Sequence, residues 1–422
     1  MRVLFCTLPH SSHLQFQVPL VWALQAAGHE VCVASQPEVT DQITGAGMTA
    51  VPVGGEVDPS PPMVNDRIAS PAELGMDMAE MRPEKLTYDY VHGLFLSHTA
   101  FLYQRVCPDP MIEELVDFAR VWQPDLVIWD PMTFAGPVVA RVTGAAHARL
   151  MFGFDLQGRL RESYLRMLAE RPPHQRDDPM REWLGGVMER YGGTFDEEMV
   201  VGQWTLDPIP TSMRYDVNLP YVPFRYVPYG GAASIPDWLR EPPERRRVCI
   251  TLGVTVREMF KDWIAAVGEL MDAVADLDVE VIATLNEEQL KELGSVPDNV
   301  RVADYVPLNA LLPSCSAIVH HAGSGTFTTA MIHGVPQLLI PAGLWDTHHK
   351  AQAAQESGAG IHLPLDSVTP AAIKDGLVRL LEEPSFAENA ARTRLEMQSA
   401  PTPGELVPAL ERLTAEHTAK HR

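Results

Sequence analysis

The sequence predicts an α/β protein made of two doubly wound, parallel-sheet domains. Three observations predict it. The chain has 422 residues, too many for one ordinary core. Short apolar runs alternate with helix-compatible runs at both ends, the β-α-β pattern of a parallel sheet. Between those regions, residues 206–246 are rich in Pro, Gly and Tyr and read as a linker region.

Composition narrows the function classes. Lys and Arg total 33 against 55 Asp and Glu, so the net charge is −22. Such a surface repels nucleic acid and anionic lipid, and any anionic ligand has to be held by local donors. Apolar residues make up 46% of the chain, yet no uninterrupted run is long enough for a membrane span. Met1-Arg2-Val3-Leu4-Phe5 enters a strand pattern directly, without a signal-peptide pattern. The five cysteines, at positions 6, 32, 107, 249 and 315, are odd in number and lie mostly in or beside apolar runs. They read as reduced, buried thiols of a cytoplasmic protein.

In the first half, residues 2–8 read as a buried strand, 16–27 as a helix ended by Gly28, and Glu30 to Ala34 as the next strand. A short helix over 38–45 runs into Gly45-Ala46-Gly47 and the strand Thr49 to Val53. This Gly-Ala-Gly follows a helix and precedes a strand, so it is a helix C-cap and not a dinucleotide fingerprint. The Pro-, Met- and Asp-rich stretch 54–110 reads as loops and helices over one end of the sheet, a usual place for specificity elements. A helix over 111–121, the strand Leu126 to Trp129 ending in Asp130, a helix from about Thr133 to Val142 and the strand His147 to Phe152 follow. Residues 155–200 are helical, with breaks at Pro172-Pro173 and Gly192-Gly193.

The second half starts with the strand Val248 to Gly253. A helix over 259–274, strands over 279–284 and 300–302, and helices over 370–382, 386–398 and 404–418 complete it. Ser357-Gly358-Ala359-Gly360 repeats the earlier helix, Gly-Ala-Gly, strand ending, a weak sign of two similar domains. The predicted boundaries are 1–230 for the first domain, 231–246 for the linker, 247–403 for the second domain and 404–422 for the final helix.

The most informative stretch is 320–341. The apolar run 316–319 leads into His320-His321, then Ala322-Gly323-Ser324-Gly325-Thr326, a helix from Phe327 to His333 and a strand from Leu338. A small-residue loop between strand and helix aims backbone N–H groups and the positive end of the helix dipole at one point, which suits a diphosphate. Neighbouring residues at a strand end point to opposite faces, so only one of the two histidines can readily face a ligand.

His-His-Ala-Gly-Ser-Gly-Thr, followed by Gly334-Val335-Pro336-Gln337 and Trp345-Asp346, resembles the donor-sugar motif of the GT-B glycosyltransferases of family 1. Ala322 stands where that motif has its first glycine. Within the family, segments 124–129, 195–198, 201–204 and 225–229 look like those of the macrolide and anthracycline deoxysugar transferases of actinobacterial antibiotic biosynthesis. The resemblance covers nearly the whole chain. It implies a GT-B fold of two Rossmann-like domains facing a cleft, with the C-terminal helix crossing back to the first.

It also implies site residues. His13, in the loop after the first strand, matches the catalytic histidine that takes the acceptor proton, better than His10 because it directly precedes the helix. Asp130 matches the carboxylate that orients it; its other reading is an N-cap of the following helix. For the donor, the resemblance assigns Thr255 to the β-phosphate and the Val306 backbone, in Tyr305-Val306-Pro307, to the nucleotide base. His321, Gly323, Ser324, Gly325 and Thr326 are assigned to the diphosphate, and Asp346 and Thr347 to the sugar. Thr347 replaces the longer glutamine of many plant relatives, which fits a deoxyhexose better than glucose. The donor is then a TDP-deoxysugar and the acceptor a hydrophobic polyketide aglycone. A cytochrome P450-like activator protein and a homodimer are further partners the resemblance allows.

No cofactor or metal is expected. The pairs His320-His321 and His348-His349 are adjacent in sequence, a poor spacing for chelation, and Asp276-Leu277-Asp278 reads as a solvated turn. No Gly-x-Ser-x-Gly elbow or Walker sequence is present. Two rivals share the expected binding site: a sugar-nucleotide 2-epimerase and a non-catalytic nucleotide-sugar sensor.

Overall fold

The structure is a computed structural model that describes residues 1–56, 63–64, 67–68, 77–80, 82–251, 264–285, 296–341, 343 and 345–420. The chain divides into two compact units, Met1–Phe224 with Pro401–Arg422, and Arg225–Ala400.

The first unit is organised by β1 (Arg2–Cys6), β2 (Glu30–Ser35) and β3 (Thr49–Pro52) on one side of the sheet. A small antiparallel pair, β4 (Met63–Val64) and β5 (Arg67–Ile68), stands apart. The sheet continues through β6 (Leu126–Trp129), β7 (Ala146–Leu150), β8 (Trp204–Asp207) and β9 (Tyr221–Pro223). Its order is β3-β2-β1-β6-β7-β8-β9, all parallel. Val3 to Cys6 and Leu126 to Trp129 are fully buried, as expected of central parallel strands covered on both faces.

The second unit repeats the winding with β10 (Arg247–Thr251), β11 (Glu280–Thr284), β12 (Val300–Ala303), β13 (Cys315–His320), β14 (Gln337–Leu339) and β15 (Gly360–His362), in the order β12-β11-β10-β13-β14-β15. Its strands alternate cleanly. Val248, Ile250, Val281, Ala317 and Val319 pack on one face with Ile373 and Leu377. Cys249, Ile282 and Ile318 pack on the other with Val306, Leu311 and Ala330.

Both sheets reverse direction at one place: between β1 and β6 in the first, and between β10 and β13 in the second. Ligands of doubly wound sheets bind outside the carboxyl ends of the strands at such switch points. The Gly-Ala-Gly repeat does not follow this symmetry. The first copy precedes β3 at one edge, the second leads into β15 at the opposite edge, so the likeness is local capping chemistry.

Two expectations change. The Pro-rich stretch from 206 holds strands that its composition did not suggest: β8 and β9 lie inside the predicted first domain, 1–230, and close its sheet, their prolines confined to ends and edge. The first helix, α1 (Ser11–Ala26), starts five residues earlier than its apolar spacing suggested, because the His10 side chain caps it by accepting from the Ser12 N–H. The final helix (Pro403–Lys420) belongs to the first unit, where His417 packs on Trp204 with ring centroids 5.1 Å apart. All five cysteines are free thiols. No described helix is long and apolar enough to cross a membrane.

Candidate active site

In the first unit, the residues after β1 and β6 meet because those strands are neighbours, Cys6 opposite Trp129. His13 sits in the first turn of α1 and not in a loop. Its Nδ1 lies 2.6 Å from Asp130 Oδ2 across 117 positions of sequence. A carboxylate only accepts, so Nδ1 carries the hydrogen, and in the neutral imidazole Nε2 is the nitrogen left with a lone pair. Asp130 Oδ1 accepts from the Met132 N–H at 3.0 Å, closing an Asx turn. The following helix starts at Ala135 with Phe134 at its cap, so Asp130 is not its N-cap. The pair is sheltered, with the His13 side chain 13% and the Asp130 side chain 3% exposed.

His10 is engaged differently. Its Nδ1 caps α1, and burial, then the neighbouring His13, pushes its pKa down to about 4. The Phe152 ring covers the His13 imidazole with centroids 4.2 Å apart. The turn that carries Phe152 is closed by a buried pair: Arg149, near the end of β7, donates to Asp155, the N-cap of helix Leu156–Ala169. Tyr221 Oη also donates to Asp155, at 2.7 Å.

In the second unit, β13 delivers His320 and His321 at its carboxyl end. His320 turns inward: Nε2–H donates to Gln337 Oε1 at 2.8 Å, and Nδ1 accepts from the Ala322 N–H at 3.1 Å. His321 is buried, and its Nδ1 has no partner among the described residues. Burial, with the nearby His320 and Lys350, lowers its pKa to about 3, so it is a neutral imidazole. Ala322 has φ +66°, the left-handed region where the motif's usual glycine is at home.

Gly323 caps α2 (Ser324–His333) without a side chain, so Ser324, Gly325 and Thr326 lie in the helix's first turn and not in a loop. Their N–H groups have no acceptor within the helix. A Cβ at Gly323 would stand 2.4 Å from His321 Nε2, whereas at Gly325 it would meet nothing described within 4 Å. Asp346 caps α3 (Thr347–Glu356), and the preceding Trp345 has φ +47°. Thr347 is buried, with Oγ1 unpartnered among the described residues. The Val306 side chain belongs to the core, leaving only its backbone for a ligand. Thr255 lies outside the described residues.

Sequence reasoning missed Lys350. It is 1% exposed, and its Nζ lies 2.5 Å from both Asp346 Oδ1 and Ser324 Oγ. A lysine in a polar helix reads as a surface residue, and the only signal was its i,i+4 spacing from Asp346. Asp276 and Asp278 pair with Lys374 and Arg245, at 2.5 and 3.4 Å. Among the described residues no group of three His, Cys, Asp or Glu is placed to hold a metal ion.

Two doubly wound units of this order, together with the likeness to solved glycosyltransferases, define a GT-B glycosyltransferase. Residues 22–253 and 268–413 match the N- and C-terminal domains described as Erythromycin biosynthesis protein CIII-like, and the chain belongs to that family. It is 57% identical to the aclacinomycin-T 2-deoxy-L-fucose transferase of Streptomyces galilaeus, over 99% of this chain and 97% of that one. It is 48% identical to the 10-deoxymethynolide desosaminyltransferase of Streptomyces venezuelae, over 99% and 98%. Among solved structures it is similar to glycosyltransferase VinC in complex with DTDP, at TM-score 0.90 and 42% identity, covering 99% of this chain and all of that one.

Proposed function

We propose that this glycosyltransferase moves a deoxysugar from a TDP-sugar to a hydroxyl of a polyketide aglycone, with inversion and without a metal requirement. The observation that carries the chemistry is the His13–Asp130 pair. His13 Nε2 takes the acceptor proton while Asp130 holds the imidazolium that forms. The acceptor oxygen bonds to the anomeric carbon from the face opposite the leaving group. The bond from that carbon to the β-phosphate oxygen breaks, and its electron pair leaves with TDP. Phe152 makes the base's surroundings apolar, which suits a hydrophobic acceptor.

The donor is held by the second unit. Unpaired N–H groups at the start of α2, the Ser324 and Thr326 hydroxyls and neutral His321 receive the diphosphate, and Asp346 with Thr347 receives the sugar. The short Thr347 side chain favours a sugar with fewer hydroxyls.

Parallel calorimetric titrations with TDP and UDP test the donor half. Tight TDP and weak UDP binding supports the reading, and absence of binding to either removes it. Turnover then separates sugars: UDP-glucose outperforming every TDP-deoxysugar would sink the deoxysugar assignment, and activity lost in EDTA would sink metal independence. Family resemblance extends the proposal to a cytochrome P450-like activator and to self-association. Full turnover by the purified chain alone would exclude the first, and a monomeric mass in light scattering the second.

A further inference from the structure

Lys350 is buried where a lysine is seldom found, and its surroundings explain why. An ammonium only donates, so Ser324 Oγ must accept from it, and the Ser324 hydroxyl hydrogen is turned elsewhere. Ser324 is the first residue of α2, beside the N–H groups that the helix leaves unpaired. The same ammonium donates to Asp346 Oδ1 at the cap of α3. One cation therefore fastens the start of the diphosphate helix to the residue assigned to the sugar.

The electrostatics point the same way. The whole chain carries −22, so the site for an anionic ligand needs a local source of positive potential. His321 is neutral and buried, with an unpartnered nitrogen among the described residues, and supplies a hydrogen-bonding group but no charge. The helix dipole supplies about half a charge. Lys350 is a cation in contact with this cluster: burial lowers its pKa, the Asp346 carboxylate at 2.5 Å raises it and offsets part of its charge, and His321 feels it.

We propose that Lys350 is the positioning residue of the donor site: it orients the Ser324 hydroxyl toward the β-phosphate, fixes the Asp346 carboxylate, and sets a positive charge, partly offset by Asp346, behind the departing diphosphate. This rests on the donor reading given above. Lys350 does not touch the reacting atoms; it acts through Ser324 and through its field, which grows in importance as charge builds on the leaving group.

The test compares affinity for TDP with affinity for TMP, which lacks the β-phosphate, by calorimetry. The wild-type protein carries the parent reading: it binds TDP or that reading fails. The variants carry Lys350. In Lys350→Gln the preference for TDP over TMP is expected to fall about tenfold or more, a loss of the size of one charge-assisted hydrogen bond. Ser324→Ala should lose part of the same preference with the cation left in place. Because Lys350→Gln removes the ammonium from Asp346, the apolar pair Lys350→Met with Asp346→Leu is measured beside it, since TDP carries no sugar for Asp346 to hold. A role confined to folding would lower both affinities together and leave their ratio unchanged. An unchanged ratio in a folded variant overturns the proposal.

Discussion

His13 and Asp130 are 117 positions apart in sequence and 2.6 Å apart in space. The relationship follows from strand order, since Asp130 directly follows β6 and His13 lies in the first turn of the helix that follows the neighbouring β1, at a reversal point. His13→Ala should lower turnover by about 10²–10⁴. Asp130→Asn should lower it strongly too, because an amide that donates to Nδ1 puts the proton on Nε2, where the lone pair is needed. TDP affinity should be unaffected in both. A matching drop in TDP binding would show that the pair is structural.

The two glycines at the start of α2 should behave differently when changed. Gly323→Ala places a methyl group 2.4 Å from the His321 ring. Its expected cost is about 1–3 kcal/mol of stability, with loss of TDP binding. Gly325→Ala meets nothing described, and alanine favours a helix by up to ~1 kcal/mol. It should leave the melting temperature unchanged or higher while still weakening TDP, if the diphosphate uses that open space. Melting curves and calorimetry on both variants separate the effects.

Ala322→Gly should stabilise the protein. At φ +66° an L-residue strains against its own carbonyl by about 1–2 kcal/mol, and glycine does not. Part of the gain is offset by the freedom glycine adds to the unfolded chain. A net gain of up to ~1 kcal/mol in a denaturant titration is the expected outcome. A loss would mean that the alanine methyl makes a contact worth more than the strain.

Acid should destabilise the fold well above the range where carboxylates titrate. Burial lowers His98 and His320 to about 4 and His321 to about 3. Each is ordinarily near 6.5 when unfolded, so the unfolded chain binds more protons below that value. The stability these residues confer is complete above about pH 6.5 and is lost as pH falls toward 4 and 3. Asp207, raised by burial to about 7, runs the other way and offsets about one of them. A melting temperature lower by on the order of 5 °C at pH 5 than at pH 7 is expected. A flat profile would contradict the burial of these three rings.

How far the sequence could be read depended on whether a feature was local. The β13 to α2 segment was legible because histidines, small residues, a helix and a terminating glycine follow one another without interruption. The start of α1 was not, because its signal is a histidine cap and not an apolar repeat, and this moved His13 from a loop into a helix. Strands β8 and β9 were hidden among prolines that mark an edge as readily as a linker. Lys350 and Arg149 were hidden for a different reason. Each is a charged residue that burial and a distant partner make internal, and nothing in a one-dimensional pattern distinguishes it from a surface charge.

Arg225 opens the second unit and Ala400 closes it, and the Arg225 guanidinium donates to the carbonyls of Ala400, at 3.2 Å, and Gln398. The entrance and exit of that unit are thus latched together. A polypeptide whose two ends meet at one latch can be lifted out and replaced as a cassette without respacing the chain on either side. For a lineage that diversifies by recombination, exchange of residues 225–400 between relatives would swap the unit proposed to hold the sugar nucleotide as a single inherited piece, leaving the unit proposed to take the acceptor to evolve on its own schedule.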